Sequence, residues 1–252
     1  QSSFPTRYKF AIVTPLLKKP GLDTNNPANF RPISNLNNIS KIIERLFQSR
    51  LLPHVTSSIN FNLQQSAYRR HHSTETALLN TLDSIYRSAD QGKPSLLISL
   101  DLSAAFDTIE HEILLSRLNT SFGLSGNVLS FIRSYLSDRS QAVRAGQASS
   151  TVTRCDTGVP QGSVLGPLLF SLYTSPIGQI AAQFNISLQQ YADDTQLYFA
   201  STANGLPANI AHFENCLSTL HSWFCHNGLA LNSNKSESII FGTHQRLRTF
   251  PV

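Results

Sequence analysis

The stretch Gln190-Tyr191-Ala192-Asp193-Asp194, read together with Ile98-Ser99-Leu100-Asp101-Leu102, decides the fold of this 252-residue chain. Each segment places carboxylate at the end of a short apolar run, where a buried strand would deliver it to a rim. A single Asp in a loop is usually a solvated turn residue. These follow residues too apolar to lie at a surface, which favours a joint role for Asp101, Asp193 and Asp194. Three carboxylates brought together repel one another unless a divalent cation lies between them. Hard oxygen ligands suit magnesium, and two such ions about 3.5–4 Å apart are what two-metal phosphoryl transfer requires. The backbone carbonyl of Leu102 would supply one more oxygen.

Working outward, Ser95–Leu102 reads as a strand, and Ile186–Tyr191 and Thr195–Ala200 as two more, joined across Asp193-Asp194. Upstream, Tyr8 to Leu17 reads as a strand that returns through Phe30-Arg31-Pro32-Ile33, with basic residues at the hairpin tip. An amphipathic helix follows, with Ile39, Ile42, Ile43, Leu46, Phe47 and Leu51 on its inner stripe and Ser40 as cap. A second helix after Ser73-Thr74 turns Leu78, Leu82, Ile85, Tyr86 and Ala89 inward. Asp107–Phe122 reads as a helix, and Gly162, Gly166 and Pro167 introduce an apolar one that runs through Tyr173. Ile210, Phe213, Leu217, Leu220 and Phe224 mark a further helix closed by Asn227-Gly228. A terminal hairpin, Leu229–Asn232 with Glu237–Phe241, carries Lys235 in its turn. Interleaved helices and antiparallel hairpins indicate an α+β fold.

Bulk properties narrow the function less. The formal net charge of +5 suits a partner bearing phosphates, as it would suit many ordinary domains. Cys155, Cys216 and Cys225 form no paired framework, which fits a reducing, intracellular setting. His221, Cys225 and Cys216 lack a fourth ligand at a convincing spacing for zinc, so buried helix cysteine is the better reading. No stretch approaches the roughly 18 apolar residues of a membrane span, and no membrane role is expected. The chain has no methionine, which suggests a piece of a longer reading frame.

Motif by motif, the chain resembles the reverse transcriptases of non-LTR (LINE-type) retrotransposons, particularly the jockey-like branch. Asn29-Phe30-Arg31-Pro32-Ile33-Ser34 resembles the first fingers motif, and Ser40-Lys41-Ile42-Ile43-Glu44 the helix after it. Gln65-Ser66-Ala67-Tyr68-Arg69 and His72-Ser73-Thr74-Glu75-Thr76-Ala77 resemble the next segments. Tyr68 stands where relatives carry Phe, and Arg70-His71 replaces a commoner basic-Gly pair. Asp101-Leu102-Ser103-Ala104-Ala105-Phe106-Asp107, then Gly158-Val159-Pro160-Gln161-Gly162-Ser163, then Tyr191-Ala192-Asp193-Asp194-Thr195 are similar to three successive palm motifs. Trp223, Asn227, Leu229 and Lys235-Ser236-Glu237 look like the following one.

The resemblance implies the fingers and palm of a right-hand polymerase, with an antiparallel palm sheet, packed helices and the thumb largely missing. Residues 1–95 would be mainly fingers, and 96–243 palm with an interleaved fingers and palm segment at 119–178. Residues 244–252 would begin a truncated thumb connection. The implied activity is RNA-directed DNA polymerisation, adding dNTPs to a DNA primer 3′-hydroxyl on an RNA template, reduced or absent in an isolated fragment. Asp101, Asp193 and Asp194 would hold two Mg2+ ions, for which Mn2+ can substitute. Lys235 would be the general acid toward pyrophosphate, and Phe106 the gate that excludes a 2′-hydroxyl. Arg31 would clamp the triphosphate, and Gln161 with Gly162 would meet the nucleotide. Arg69, Arg70, His72 and Ser73 would meet the template backbone. A parent retroelement would act in the nucleus. Competing readings are a decayed or domesticated RNA-binding module and another palm polymerase.

Overall fold

In the computed structural model, residues 2–202 and 205–244 are described. The thumb connection expected at 244–252 therefore lies, beyond His244, outside the described residues. In chain order the elements are β1 (Phe10–Leu17), β2 (Phe30–Asn35), α1 (Asn38–Thr56), α2 (Thr74–Asp90), β3 (Ser95–Leu100) and β4 (Leu102–Ser103). They continue with α3 (His111–Thr120), α4 (Gly126–Leu136), β5 (Arg139–Ala145), β6 (Ala148–Ser149), β7 (Thr153–Cys155), α5 (Leu165–Tyr173) and α6 (Pro176–Gln183). The last are β8 (Ser187–Tyr191), β9 (Asp194–Ala200), α7 (Leu206–His226), β10 (Ala230–Leu231) and β11 (Glu237–Phe241). These elements gather into two units, one from residues 1–61 and 106–173, the other from 62–105 and 174–252.

The second unit is built on an antiparallel sheet in the order β11-β3-β9-β8. Both faces are covered, because strand side chains alternate. On one face Tyr198 packs with Ile85 of α2 and Leu97 of β3, and Thr81 of α2 bonds Gln196. On the other, Phe199 meets Phe213 of α7 with ring centroids 5.0 Å apart. Two-sided cover explains why the β3 run Ser95–Leu100 is apolar almost throughout.

Of the expected inner face of α2 Ile85 is buried, but the face is shifted from the one expected. Its buried residues are Ala77, Thr81 and Ile85, whereas Leu78 and Tyr86 are exposed. Small Ala77 and polar Thr81 face a sheet whose own surface there includes Gln196, so the inner stripe is not the most apolar one. The expected terminal hairpin is also overturned. β11 pairs with β3, while β10 pairs with β4, so Leu229–Asn232 and Glu237–Phe241 join different sheets. The turn between β8 and β9 is Ala192-Asp193, one residue earlier than read, with Tyr191 paired to Asp194.

The first unit carries the sheet β2-β1-β5-β6, with β7 also on β5. β1 runs parallel to β5 and antiparallel to β2. Packed with it are α1, α3, α4 and α5, of which α4 and the strands β5–β7 were not anticipated. The helix expected over Asp107–Phe122 begins only at His111. Asp107 instead offers its carbonyl to Thr157, and Ile109 its carbonyl to Gly158.

α1 holds the largest departure. Its cap is Asn37, whose side chain accepts from Ile39 N–H, not Ser40. Ser40 and Glu44 are fully buried, while Ile39, Ile42 and Leu46 from the expected inner stripe are exposed. The reason lies in α5, buried at every position but Pro167, whose first N–H groups are held away from water. One Glu44 carboxylate oxygen accepts from Val164 N–H at 2.8 Å, from Leu165 N–H at 3.0 Å and from the Tyr135 hydroxyl at 3.2 Å. Ser40 donates to the other at 2.7 Å. Burial, then the Glu44 charge, push the Tyr135 phenol well above its ordinary range, so it stays a donor.

Removing this carboxylate strands two amides and a phenol in the core. Glu44→Leu is expected to lose about 3–5 kcal/mol of stability. Glu44→Gln, which keeps an accepting oxygen, is expected to lose about 1–2 kcal/mol. Denaturant unfolding of both variants checks the ordering, and equal losses would contradict the bonding described.

Candidate active site

Strand register brings the carboxylates together. In the β3–β9 pair, Leu100 lies opposite Thr195. The next residue outward on each strand is Asp101 and Asp194, at the same end of strands about 4.8 Å apart. Asp193 sits in the adjoining two-residue turn. Burial, then the charges of Asp193 and Asp101, raise the Asp194 carboxyl above its usual range, with Lys235 opposing. The Lys235 Nζ lies 3.4 Å from Asp101 Oδ2. Lys235 arrives there because Asn232 N–H bonds the Asp101 carbonyl at 2.8 Å and a short 3-10 turn, Ser233–Lys235, follows.

That bond also fixes Leu102. With Asn232 on the Asp101 carbonyl, Leu102 and its partner Leu231 form a non-hydrogen-bonded pair, so the Leu102 carbonyl points away from β10. Among the described residues no three His, Cys, Asp or Glu side chains converge tightly enough to form a ligand set as they stand. Like charge opposes such convergence, and Asp101 leans on Lys235 instead. The donor chemistry nonetheless fits a hard divalent cation: neighbouring carboxylates whose repulsion already perturbs one of them, with a backbone carbonyl beside them.

The first unit gathers a separate set. Ser34 N–H of β2 bonds the Gln161 carbonyl at 2.8 Å, and Val159 N–H bonds the Phe106 carbonyl at 2.8 Å. Gly162 takes φ +104, and a Cβ there would sit 2.9 Å from the Ser34 carbonyl, so the turn needs glycine to lie against β2. Arg31 is exposed on the same strand. The Phe106 ring stacks on Phe170 with centroids 4.7 Å apart, which makes it partly a core residue. The structure thus groups Arg31's strand, Phe106, Gln161 and Gly162 within one unit.

The segment before α2 behaves differently from a free basic patch. The Arg69 guanidinium donates to the carbonyls of Leu63 at 2.6 Å and Gln65 at 3.1 Å. His72 Nδ1 donates to the Arg70 carbonyl at 3.0 Å. Ser73 is the cap of α2, in a reciprocal box with Thr76. Arg70 is exposed. His71, which replaces the commoner glycine, holds φ +65, a conformation that glycine takes freely and a side chain does not. Cys216 is buried, its thiol pushed up to about 11 by burial. Cys225 is exposed, and its sulfur lies 3.7 Å from His221 Nε2.

Sequence reasoning missed what surrounds the carboxylate turn. Gln65, Gln189 and Gln190 are buried; Gln65 bonds the Ala192 backbone, Gln189 bonds the Gln190 carbonyl, Ser66 and Asn80, and Gln190 accepts from Asn62. The signal available was four glutamines, Gln64-Gln65 and Gln189-Gln190, two of them in a strand otherwise read as core. Among the described residues no helix is long and apolar enough to cross a membrane.

Comparisons with known proteins follow this geometry. The family model described as "Reverse transcriptase (RNA-dependent DNA polymerase)" matches residues 17–247. The probable RNA-directed DNA polymerase from transposon BS of Drosophila melanogaster is 31% identical over 238 residues, covering 92% of this chain and 26% of that protein. Its counterpart from the X-element of the same species is 30% identical, covering 96% and 26%. The polymerase from mobile element jockey, again from Drosophila melanogaster, is 26% identical, covering 94% and 26%. The chain thus spans about a quarter of the length of these non-LTR relatives. Among solved structures, apo telomerase from Candida tropicalis, truncated of its C-terminal domain, is 12% identical with a TM-score of 0.64, covering 93% of this chain and 51% of that one. Telomerase from Candida albicans, in complex with a TWJ fragment of telomeric RNA, is 15% identical with a TM-score of 0.58, covering 94% and 43%. At such identity these two speak for a shared fold alone. The family match over nearly the whole length is decisive, and the chain belongs to the reverse transcriptase (RNA-dependent DNA polymerase) family.

Proposed function

We propose that this chain is the catalytic core of an RNA-directed DNA polymerase from a non-LTR retrotransposon, adding dNTPs to a DNA primer on an RNA template. The observation that carries the reading is the β3–β9 register, with Asp101 and Asp194 at one sheet end, Asp193 in the adjoining turn and Lys235 beside them. Reverse transcriptases use divalent metal ions. Here Asp101, Asp193 and Asp194, with the Leu102 carbonyl, would hold two magnesium ions. Bound magnesium supplies a lowered pKa at the primer 3′-hydroxyl and charge neutralisation at the triphosphate.

The chain's own groups do the rest. Lys235, already an ion-pair partner of Asp101, is positioned to give a proton toward departing pyrophosphate. Phe106, held by its stack on Phe170, would be the gate that excludes a sugar 2′-hydroxyl. Gln161 and Gly162, buttressed by β2, meet the nucleotide, and Arg31 on that strand offers a guanidinium fork to its phosphates. Arg70 remains outward for template phosphate, while Arg69, His72 and Ser73 shape the loop that carries it. In this reading residues 1–95 are mainly fingers and 96–243 palm, with 119–178 interleaved.

Primer extension on an RNA template with magnesium tests the proposal. Asp193→Asn is expected to lower the rate at least roughly a hundredfold. Equal activity in parent and variant would remove the assignment. A parent that binds RNA without extending primer would favour the RNA-binding module, and ribonucleotide incorporation would favour another palm polymerase. In the same assay Phe106→Val is expected to cut discrimination against ribonucleotides by about 10- to 200-fold, and unchanged discrimination would discard the gate.

Crowded carboxylates should also be visible in stability. Burial, then the charges of Asp193 and Asp101, hold the folded Asp194 carboxyl above its ordinary value, so the folded chain holds more protons than the unfolded one as pH rises through the carboxylate range. Stability is therefore lost as pH rises through this window, and the cost is fully present at neutral pH. Asp194→Asn is expected to gain about 0.5 kcal/mol or less there, since the exposed side chain is screened. Thermal melts should show that gain vanish below the ordinary carboxylate range; a gain that persisted in acid would have another origin.

A further inference from the structure

We infer that Gln65 is the positioning residue of the carboxylate turn, holding Ala192 in a left-handed conformation so that Asp193 and Asp194 are presented together. This rests on the reading of those aspartates as metal ligands. Ala192 has φ +58 and occupies the first position of the two-residue loop between β8 and β9. Of the two loop residues only Ala192 has positive φ, a conformation that glycine takes freely and other residues do not. For alanine the left-handed region is disfavoured roughly five- to thirtyfold, so something must hold it.

Gln65 supplies both halves of that hold. Its Nε2 donates to the Ala192 carbonyl at 2.9 Å, and its Oε1 accepts from the Ala192 N–H at 2.9 Å. Oε1 also accepts from Ala67 N–H at 3.1 Å. With two amides facing one end and a carbonyl facing the other, the orientation of the side-chain amide is determined. Gln65 is 1% exposed, so water does not compete for these bonds. Its backbone is anchored as well: Gln64 and Ser66 bond the Gln190 backbone at 3.0 and 2.9 Å, a parallel bridge that ties this loop to the end of β8. The turn's backbone is therefore gripped from outside the hairpin by one side chain whose own ends are fixed.

The expected consequence is a change in metal binding separable from folding. Gln65→Met keeps length and flexibility but removes both bonds. With the full chain and Mn2+ alone, free ion being followed by electron paramagnetic resonance, its affinity is expected to fall about five- to thirtyfold. Adding Ala192→Gly, which makes positive φ free of strain, is expected to recover most of that loss. A Gln65 that merely filled the core would gain nothing from the glycine. Should Gln65→Met fail to fold, Gln65→Asn retains a buried amide on an arm too short to reach both Ala192 groups, and the same loss is expected.

Mn2+ affinity unchanged in a folded Gln65 variant, or no recovery on adding Ala192→Gly, would overturn the inference. Asp193→Asn separates that failure from failure of the parent reading. If Mn2+ binding by the parent is insensitive to Asp193→Asn, the aspartates are not ligands and both fall. If it is sensitive but the Gln65 variants bind normally, only the role of Gln65 falls.

Discussion

The antiparallel register of β3 against β9, with Leu100 opposite Thr195, is the constraint from which the site follows. Side chains alternate along a strand, so a slip of one residue would exchange the two faces of the sheet and carry Asp101 out of line with Asp194. The register is held because both faces are covered by different chemistry. Tyr198 packs with Ile85 and Leu97 on one side, while Phe199 meets Phe213 on the other. Exchanging them would put two incompatible sets against α2 and α7. The position of two charges at the sheet's end is thus fixed by apolar packing well away from them.

Polar groups in the interior do complementary work in each unit. In the first, one Glu44 oxygen receives two amides at the start of α5 and the Tyr135 hydroxyl. A helix buried almost throughout holds its first donors away from water, and a carboxylate there also suits the helix dipole. In the second, amide side chains from Asn62 to Gln190 join a loop, a helix and a strand. These bonds are directional where apolar contact is not, so they specify one arrangement among several that would bury similar area.

Much of the second unit was legible from sequence because its strands are period-two or continuously apolar, and because turn residues mark their ends. β3, β8 and β9 were read within one or two residues for that reason, as was the apolar α5. The two helix faces were misread by the same rule. For α1 the apolar stripe predicts Leu51 inward, as found, but Ile39, Ile42 and Leu46 of that stripe are exposed because the needs of α5 turn Ser40 and Glu44 inward. For α2 the sheet surface offers Gln196, which Thr81 can bond and leucine cannot. Periodicity reports that a helix has two faces; which face is buried depends on the polar demands of what it meets. The separation of β10 from β11 was equally hidden, since nothing within Leu229–Phe241 encodes that their partners are β4 and β3. In the site, the carboxylates could be read because charge after an apolar run is rare. Gln65 could not, because a glutamine's value here comes entirely from the backbone it faces.

The turn at Ala192 joins these themes. Glycine in the first loop position would accept the backbone conformation without strain. Alanine narrows the choice of conformations, and the Gln65 amide then selects the left-handed one by bonding both polar groups of that residue. The combination yields a turn stiffer than a glycine turn, although its favoured state in isolation would be different. Burial, then repulsion from Asp193 and Asp101, raises the Asp194 carboxyl, so both work against the folded arrangement of charges. A turn that left this conformation would relax that repulsion by swinging the carboxylates apart. A clamped one must keep them close, and that retained crowding is what gives a divalent cation something to neutralise.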